Sequence, residues 1–386
     1  MNKTKQLFAG LILMALGLGN TQADYTLNLM KGVTRVSNDI YDLHMLILWI
    51  CVGIGILVFG AMFYSIYHHR KSRGHKAAQF HESTTVEIIW TIIPIVILIL
   101  MAIPATKTMC ELDVACNSYK AQKMADVNQS DMTIQITGRQ WYWDYKYLDN
   151  DIHFESHLDE ASEKAHRTAG VDPRSVPHYL LNVDKPLVIP VKKKVRFVLT
   201  SIDVIHSWWV PDFGWKKDAN PGFINEAWTS VEKAGTYRGQ CTELCGRDHG
   251  FMPIVVIAME QPEYDAWVKK TLEQQKQKPD LSDQSREQLV AHGESVYLKN
   301  CVGCHQINGA GVPGLIPALT GSAIATGKWE SLDGFLRAGT SKMPKFDKLN
   351  AKEFAELMTY VRNNLGNKVG DELQPKQTAL PDDDDE

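Results

Sequence analysis

Two runs without a charged residue, 45–66 and 88–106, dominate the pattern near the start of the chain. Each approaches the roughly 20 apolar residues that cross a bilayer as a helix. A buried core helix of that length would carry a polar face, so the pattern predicts a two-helix transmembrane hairpin over 24–107. The connecting HHRKSRGHK carries Arg70, Lys71, Arg73 and Lys76, which places it on the cytoplasmic side and everything after Lys107 on the periplasmic side. Pro94 and Pro104 are expected to bend the second span or loosen its hydrogen bonding. Ahead of the hairpin, residues 1–23 begin with Lys3 and Lys5, continue through LFAGLILMALGLG and end Thr21, Gln22, Ala23. That reads as a secretory signal with a small-x-Ala cleavage site, with a first membrane span as the alternative.

Beyond residue 107 the period changes. MTIQITGRQWYWDYKY, YLLNVDKPLVIPV and VRFVLTS are short β-branched and aromatic runs bounded by Asp-Lys-Pro and Gly signals, and they predict an antiparallel β-barrel or sandwich over 108–262. The acid-rich insertion 149–177 reads as a surface loop or short helix. Residues 261–288, rich in Gln and Lys, read as a short helix followed by a linker, with 263–288 taken as the linking segment. Helical pattern returns over 289–368 and includes a C-terminal helix around 354–363. The tail 369–386, ending PDDDDE, is expected to be disordered.

The 386 residues allow two or three domains. A net charge of -4 with 22% charged residues points away from nucleic acid. Of seven cysteines, four sit in the motifs below, Cys51 lies in an apolar run, and Cys110 and Cys116 remain. In an oxidising compartment this pair is expected to form a disulfide, with two unpaired thiols as the alternative.

The densest chemistry lies in CTELCGRDHGFM, residues 241–252. Cys241, Cys245, His249 and Met252 combine thiolate, imidazole and thioether, which is a copper set, since zinc rarely takes methionine. A single-copper site needs only one thiolate. Two thiolates bridging two coppers would use both and call for one more imidazole, available at His206 in DVIHSWWVP, with the Glu243 carbonyl as a further weak ligand. Further on, CVGCH is a c-type haem attachment signature, in which Cys301 and Cys304 form thioethers and His305 ligates the iron. TSKMP supplies Met343 about forty residues later, and His/Met ligation suits an electron carrier. Lys342, Lys345, Lys348 and Lys352 surround Met343 while the insertion 149–177 is acidic. These lysines either steer one domain onto the other or merely solvate a surface.

Together with GRQWYWDYKY at 138–147, TSIDVIHSW at 200–208 and KKDANPG at 216–222, the 241–252 loop resembles the binuclear copper A site of subunit II of haem-copper cytochrome c oxidases. The resemblance extends from the first span to about Pro262. It implies an all-β cupredoxin Greek-key barrel, and the order of haem motif, Met343 and terminal helix resembles an all-α class I cytochrome c fused behind it. The multidomain membrane protein so described is similar to subunit II of a caa-type oxidase in the inner membrane of a bacterium. The resemblance implies a partnership with subunits I and III and electrons taken from a soluble or membrane cytochrome c or an upstream reductase. It also implies that Trp141 receives electrons over the copper pair, and that the Glu243 side chain joins a magnesium or manganese site at the subunit I interface. Glu87, in TVEIIWTIIP, would stand at the mouth of a proton channel; the plainer reading is an interfacial acid. Where the family usually has Arg after Pro-Gly, Phe223 follows Gly222, which puts any salt bridge from that position in doubt. A copper A subunit of a nitric oxide reductase, or a stand-alone membrane-anchored redox carrier, are the alternatives.

Overall fold

The computed structural model describes residues 28–74, 76, 79, 81–112, 130–167, 171–276, 281–341, 343–346 and 348–380. The expected signal segment, Cys116, Lys342 and the PDDDDE end lie outside them. The described chain forms two compact units, one of residues 28–31 and 41–81, the other of 32–40 and everything from 82 onward.

The two apolar runs are helices, α1 (Arg35–His68) and α2 (Thr84–Leu112), both long and apolar enough to cross a membrane. Their large apolar side chains, such as Ile56, Leu57, Phe63, Leu98 and Ile103, are exposed, the condition a bilayer covers. Pro94 and Pro104 both lie inside α2. Thr34 starts α1: its Oγ1 accepts from the Ser37 N–H at 3.0 Å and donates to the Phe213 carbonyl at 3.0 Å, tying the helix start to the β-domain. Cys110, in the last turns of α2, is disulfide-bonded.

The β-domain is a sandwich of two five-stranded sheets. The strands are β1 (Met132–Arg139), β2 (Tyr142–Tyr147), β3 (Ile152–Ser156), β4 (Leu187–Pro190), β5 (Val195–Ser201), β6 (His206–Val210), β7 (Trp215–Ala219), β8 (Asn225–Thr229), β9 (Gly235–Cys241) and β10 (Pro253–Met259). The sheet orders are β3-β2-β1-β5-β8 and β4-β10-β9-β6-β7. Strand alternation is the cause: Val195, Phe197 and Leu199 of β5 are buried while Arg196, Val198 and Thr200 between them are half-exposed. The buried faces join Ile134, Trp143, Tyr145, Phe197, Trp208 and Val256 in one core. Truncating one of these aromatics to alanine is the kind of change that costs about 3–5 kcal/mol.

The acidic insertion carries the short helix expected as one alternative, α3 (Glu160–Arg167), and strand β3 as well. Two later segments depart from expectation. The expected linker is mostly helix α4 (Gln261–Lys276), and it packs on the sandwich. Tyr264 is buried, and Trp267, Val268 and Leu272 pack against the core at helical spacing, with the Trp267 ring 5.4 Å from that of Tyr147. A composition rich in Gln and Lys hid this narrow apolar stripe.

The C-terminal domain is helical: α5 (Arg286–Asn300), α6 (Val302–His305), α7 (Ala323–Thr326), α8 (Trp329–Ala338), α9 (Ala351–Asn363) and α10 (Pro375–Thr378). Ser285 with Gln288, and Asn350 with Glu353, close capping boxes that start α5 and α9. Gly293 leaves no side chain between α5 and the Glu356 backbone, so the two helices touch. The tail expected to be disordered is packed as far as 380. Leu373 is buried, Arg362 holds Asp371 at 2.6 Å, and Thr378 Oγ1 donates to the Ala351 carbonyl at 2.5 Å. Reading only its acidic end missed the apolar and hydroxyl anchors before it.

Candidate metal and haem sites

β9 ends on Cys241 and β10 resumes at Pro253, so the copper-type motif is the connection between two paired strands. β6 pairs with β9 at Trp208 and Cys241, which carries His206, at the start of β6, beside the first thiol. His206 is fully buried. Gly138 makes room for it: a Cβ there would lie 2.7 Å from His206 Cδ2.

The donors converge. Cys241 Sγ lies 3.8 Å from Cys245 Sγ, 4.0 Å from His206 Nδ1 and 3.5 Å from the Glu243 carbonyl oxygen. Cys245 Sγ lies 3.4 Å from His249 Nδ1 and 3.5 Å from Met252 Sδ. Every expected donor is therefore within reach of one or both thiols. The Cys245 thiol beside it holds Cys241 down to about 4, and the same contact pushes Cys245 up. Burial disfavours charge on His206, yet its contacts with Asp203 and Cys241 carry it up to about 9. A metal binding to these donors would displace protons from Cys245 and His206. Two adjacent thiols with two imidazoles, a thioether and a carbonyl fit a pair of copper ions, a soft set with enough donors for two centres.

Residues around the donors hold them in place. Asp203 Oδ1 lies 2.9 Å from His206 Nε2, which leaves Nδ1 toward the thiol. Gln140 Nε2 and Trp141 Nε1 both donate to the Cys245 carbonyl, at 2.8 and 3.2 Å. Trp143 is the core member of its aromatic trio, and its Nε1 donates to the Met252 carbonyl at 3.2 Å. Gly246 has φ 122, a conformation that favours glycine. Sequence reasoning missed Asp203 and Gln140. Asp203 stands three residues before the histidine, a spacing that could have drawn notice; Gln140 leaves no such signal. The Glu243 side chain belongs to an exposed residue, and Glu87 is exposed in the first turn of α2.

In the helical domain, α5 delivers Cys301 and α6 delivers Cys304 and His305. Cys301 is buried, Cys304 is exposed, and neither is in a disulfide. His305 Nδ1 lies 3.1 Å from the Pro317 carbonyl, so this nitrogen carries the proton and Nε2 is left as a donor for a metal. Burial pushes the His305 imidazolium down, favouring the neutral ligand form. Two thiols with an oriented neutral imidazole fit covalent haem. Met343 sits in a turn where its N–H donates to Thr340 Oγ1 at 3.0 Å.

The two domains meet through opposite charges. Lys348 Nζ lies 3.1 Å from Glu155 and 3.4 Å from Asp144, and Lys299 Nζ lies 2.9 Å from Asp184. Ser295 Oγ donates to Glu160 at 3.3 Å. Burial works against the Glu155 carboxylate, but His157 and Lys348 outweigh it and hold the group at about 2. Lys348, one of the lysines expected around Met343, thus meets the acidic insertion at Glu155 across the two domains.

A β-sandwich carrying a thiol, imidazole and thioether cage, joined to a CxxCH helical domain and two membrane-length helices, defines a membrane-anchored copper and haem electron-transfer protein. Family models for "Cytochrome C oxidase subunit II, periplasmic domain" and "Cytochrome C oxidase subunit II, transmembrane domain" match residues 132–259 and 22–108, and one for "Cytochrome C oxidase, cbb3-type, subunit III" matches 288–361. The chain is 36% identical over 253 residues to cytochrome c oxidase subunit 2 of Cereibacter sphaeroides, covering 62% of this chain and 78% of that one. It is 34% identical over 248 residues to that of Arabidopsis thaliana, covering 64% and 90%. The solved periplasmic domain of subunit II from Bradyrhizobium japonicum is 40% identical, covers 38% of this chain and 98% of that one, and has a TM-score of 0.33. The chain belongs to the cytochrome c oxidase subunit II family, with a cytochrome c-type domain at its carboxyl side.

Proposed function

We propose that the chain is the electron-entry subunit of a caa-type oxidase in the bacterial inner membrane. In this reading residues 1–23 are a signal, 24–107 the spans, 108–276 the copper domain and 281–380 the haem domain. When bound, the haem c and the copper pair supply one-electron redox chemistry between an external donor and the haem of subunit I. Subunit III and a soluble or membrane cytochrome c or reductase complete the assembly. The observation that carries the reading is Trp141: its indole donates to the Cys245 carbonyl, and the haem-attachment loop lies against the same ring at Gly303. The protein's own work is to hold His206, Cys241, Cys245, His249 and Met252 in a fixed cage, to hold Cys301, Cys304, His305 and Met343 on the haem, and to keep the two sites together. Reduction of the loaded chain by a cytochrome c, followed at both centres, tests it.

Glu243 has two separate roles in this proposal. Its carbonyl faces Cys241 at 3.5 Å, and its exposed side chain is free to serve a magnesium or manganese ion with subunit I. Glu243→Gln should leave copper bound but weaken manganese roughly 10- to 100-fold, the scale for losing a group that supports a metal, because an amide is a poorer ligand for a hard cation. Unchanged manganese binding in the assembled variant refutes the side-chain role.

Glu87 is proposed to admit protons. Glu87→Ala should slow turnover by about tenfold or more, as loss of a proton-transfer group does, with copper reduction by the donor unaltered. Equal slowing of copper reduction in stopped flow would contradict the assignment.

A further inference from the structure

Gly303 is the second variable residue of the CVGCH motif and lies within α6. A Cβ built on it would fall 3.2 Å from Asp248 Oδ2 and 3.6 and 3.8 Å from Trp141 Cζ3 and Cε3. Asp248 is not free to step aside. Its Oδ2 is held by Arg167 Nη2 at 3.2 Å, Arg167 Nε is held by Glu163 at 2.5 Å, and all three side chains are at most 10% exposed. The opposite edge of the Trp141 ring meets the copper loop, where a Cβ on Gly246 would lie 3.0 Å from Cζ2. The indole is therefore packed between two glycines, one in each cofactor-binding loop.

Among the described residues, Asp248 and Trp141 are the neighbours that a side chain at 303 would meet. The Gly303 backbone is outside the left-handed region, and the variable positions of CxxCH make no bond to haem. We infer that Gly303 is a positioning residue: by lacking a side chain it lets the haem-attachment loop seat on Trp141 and Asp248, covering Trp141 against soluble donors. The inference rests on the proposed electron path and adds what sets the contact. The Lys348 and Lys299 ion pairs close the seam around the seat.

The test uses the full chain in the assembled oxidase, as wild type, Gly303→Ala and Gly303→Val. Hydroxyl-radical footprinting reads the cover over Trp141, and flash photoreduction of haem c reads transfer to copper. Valine should expose Trp141 to oxidation and slow transfer by about 5- to 150-fold, the scale of overpacking a close contact. Haem absorbance and both reduction potentials should stay unchanged, with alanine intermediate. Unchanged protection of Trp141 in haem-loaded Gly303→Val overturns the inference. If the valine variant fails to take up haem, Gly303→Ala carries the test, since its Cβ already meets Asp248 Oδ2 at 3.2 Å, and a Trp141 as protected there as in the wild type overturns the inference equally. A wild type with Trp141 protected but no transfer would refute the electron path while leaving the seating intact.

Discussion

Cys245→Ser is expected to abolish the mixed-valence copper signal of the periplasmic domain completely. In the structure Cys245 Sγ meets Cys241 Sγ at 3.8 Å, His249 Nδ1 at 3.4 Å and Met252 Sδ at 3.5 Å. Removing it takes away one of the two thiolates that could bridge and leaves His249 and Met252 without their shared neighbour. A serine hydroxyl is hard and stays protonated, so it cannot replace a soft thiolate between two coppers. What remains around Cys241 and His206 is at most a one-copper site. The fold should persist, because serine nearly matches cysteine in size and most of the core, including Tyr145, Phe197 and Trp208, comes from the strands rather than the loop. Electron paramagnetic resonance with copper quantitation decides the matter. A delocalised two-copper signal surviving in the variant would remove Cys245 from the bridge.

Trp141→Leu should slow haem-to-copper transfer by about 10²-fold, the penalty that a displacement of ~1 Å between reacting groups can bring. The indole makes both contacts of the proposed route: its Nε1 donates to the Cys245 carbonyl at 3.2 Å, and its ring meets the haem-attachment loop at Gly303. Leucine keeps an apolar filler but loses the donor and the ring. Copper content and the haem spectrum should stay at wild-type levels, since Trp141 is not a ligand of either site. Trp141→Phe, which keeps a ring without the N–H, should fall between. Transfer at the wild-type rate in the leucine variant would assign the route elsewhere.

Much of this was legible in the chain because the chemistry is local. Cys241, Cys245, His249 and Met252 fall in one turn, and CVGCH is contiguous. His206 was reachable by counting donors, and strand pairing then explains how it arrives. The alternation of Val195, Phe197 and Leu199 carried the β-sandwich. The roles of Asp203 and Gln140 were not legible, because they hold ligands through contacts that only folding creates. The Gly303 contact with Trp141 joins residues far apart in sequence and has no local pattern. The length and packing of helix α4 and the packed tail escaped notice for another reason. Composition averages over a segment, whereas Tyr264, Trp267, Leu373 and Thr378 act one side chain at a time.

The central claim is that one chain carries both centres and passes electrons between them internally. Flash photoreduction of haem c in the haem- and copper-loaded full chain tests it most directly. The account predicts that haem c reoxidises as the copper pair is reduced, in a first-order process whose rate does not change with protein concentration. Haem c that stays reduced beside oxidised copper, or a transfer rate that rises in proportion to concentration, would contradict it.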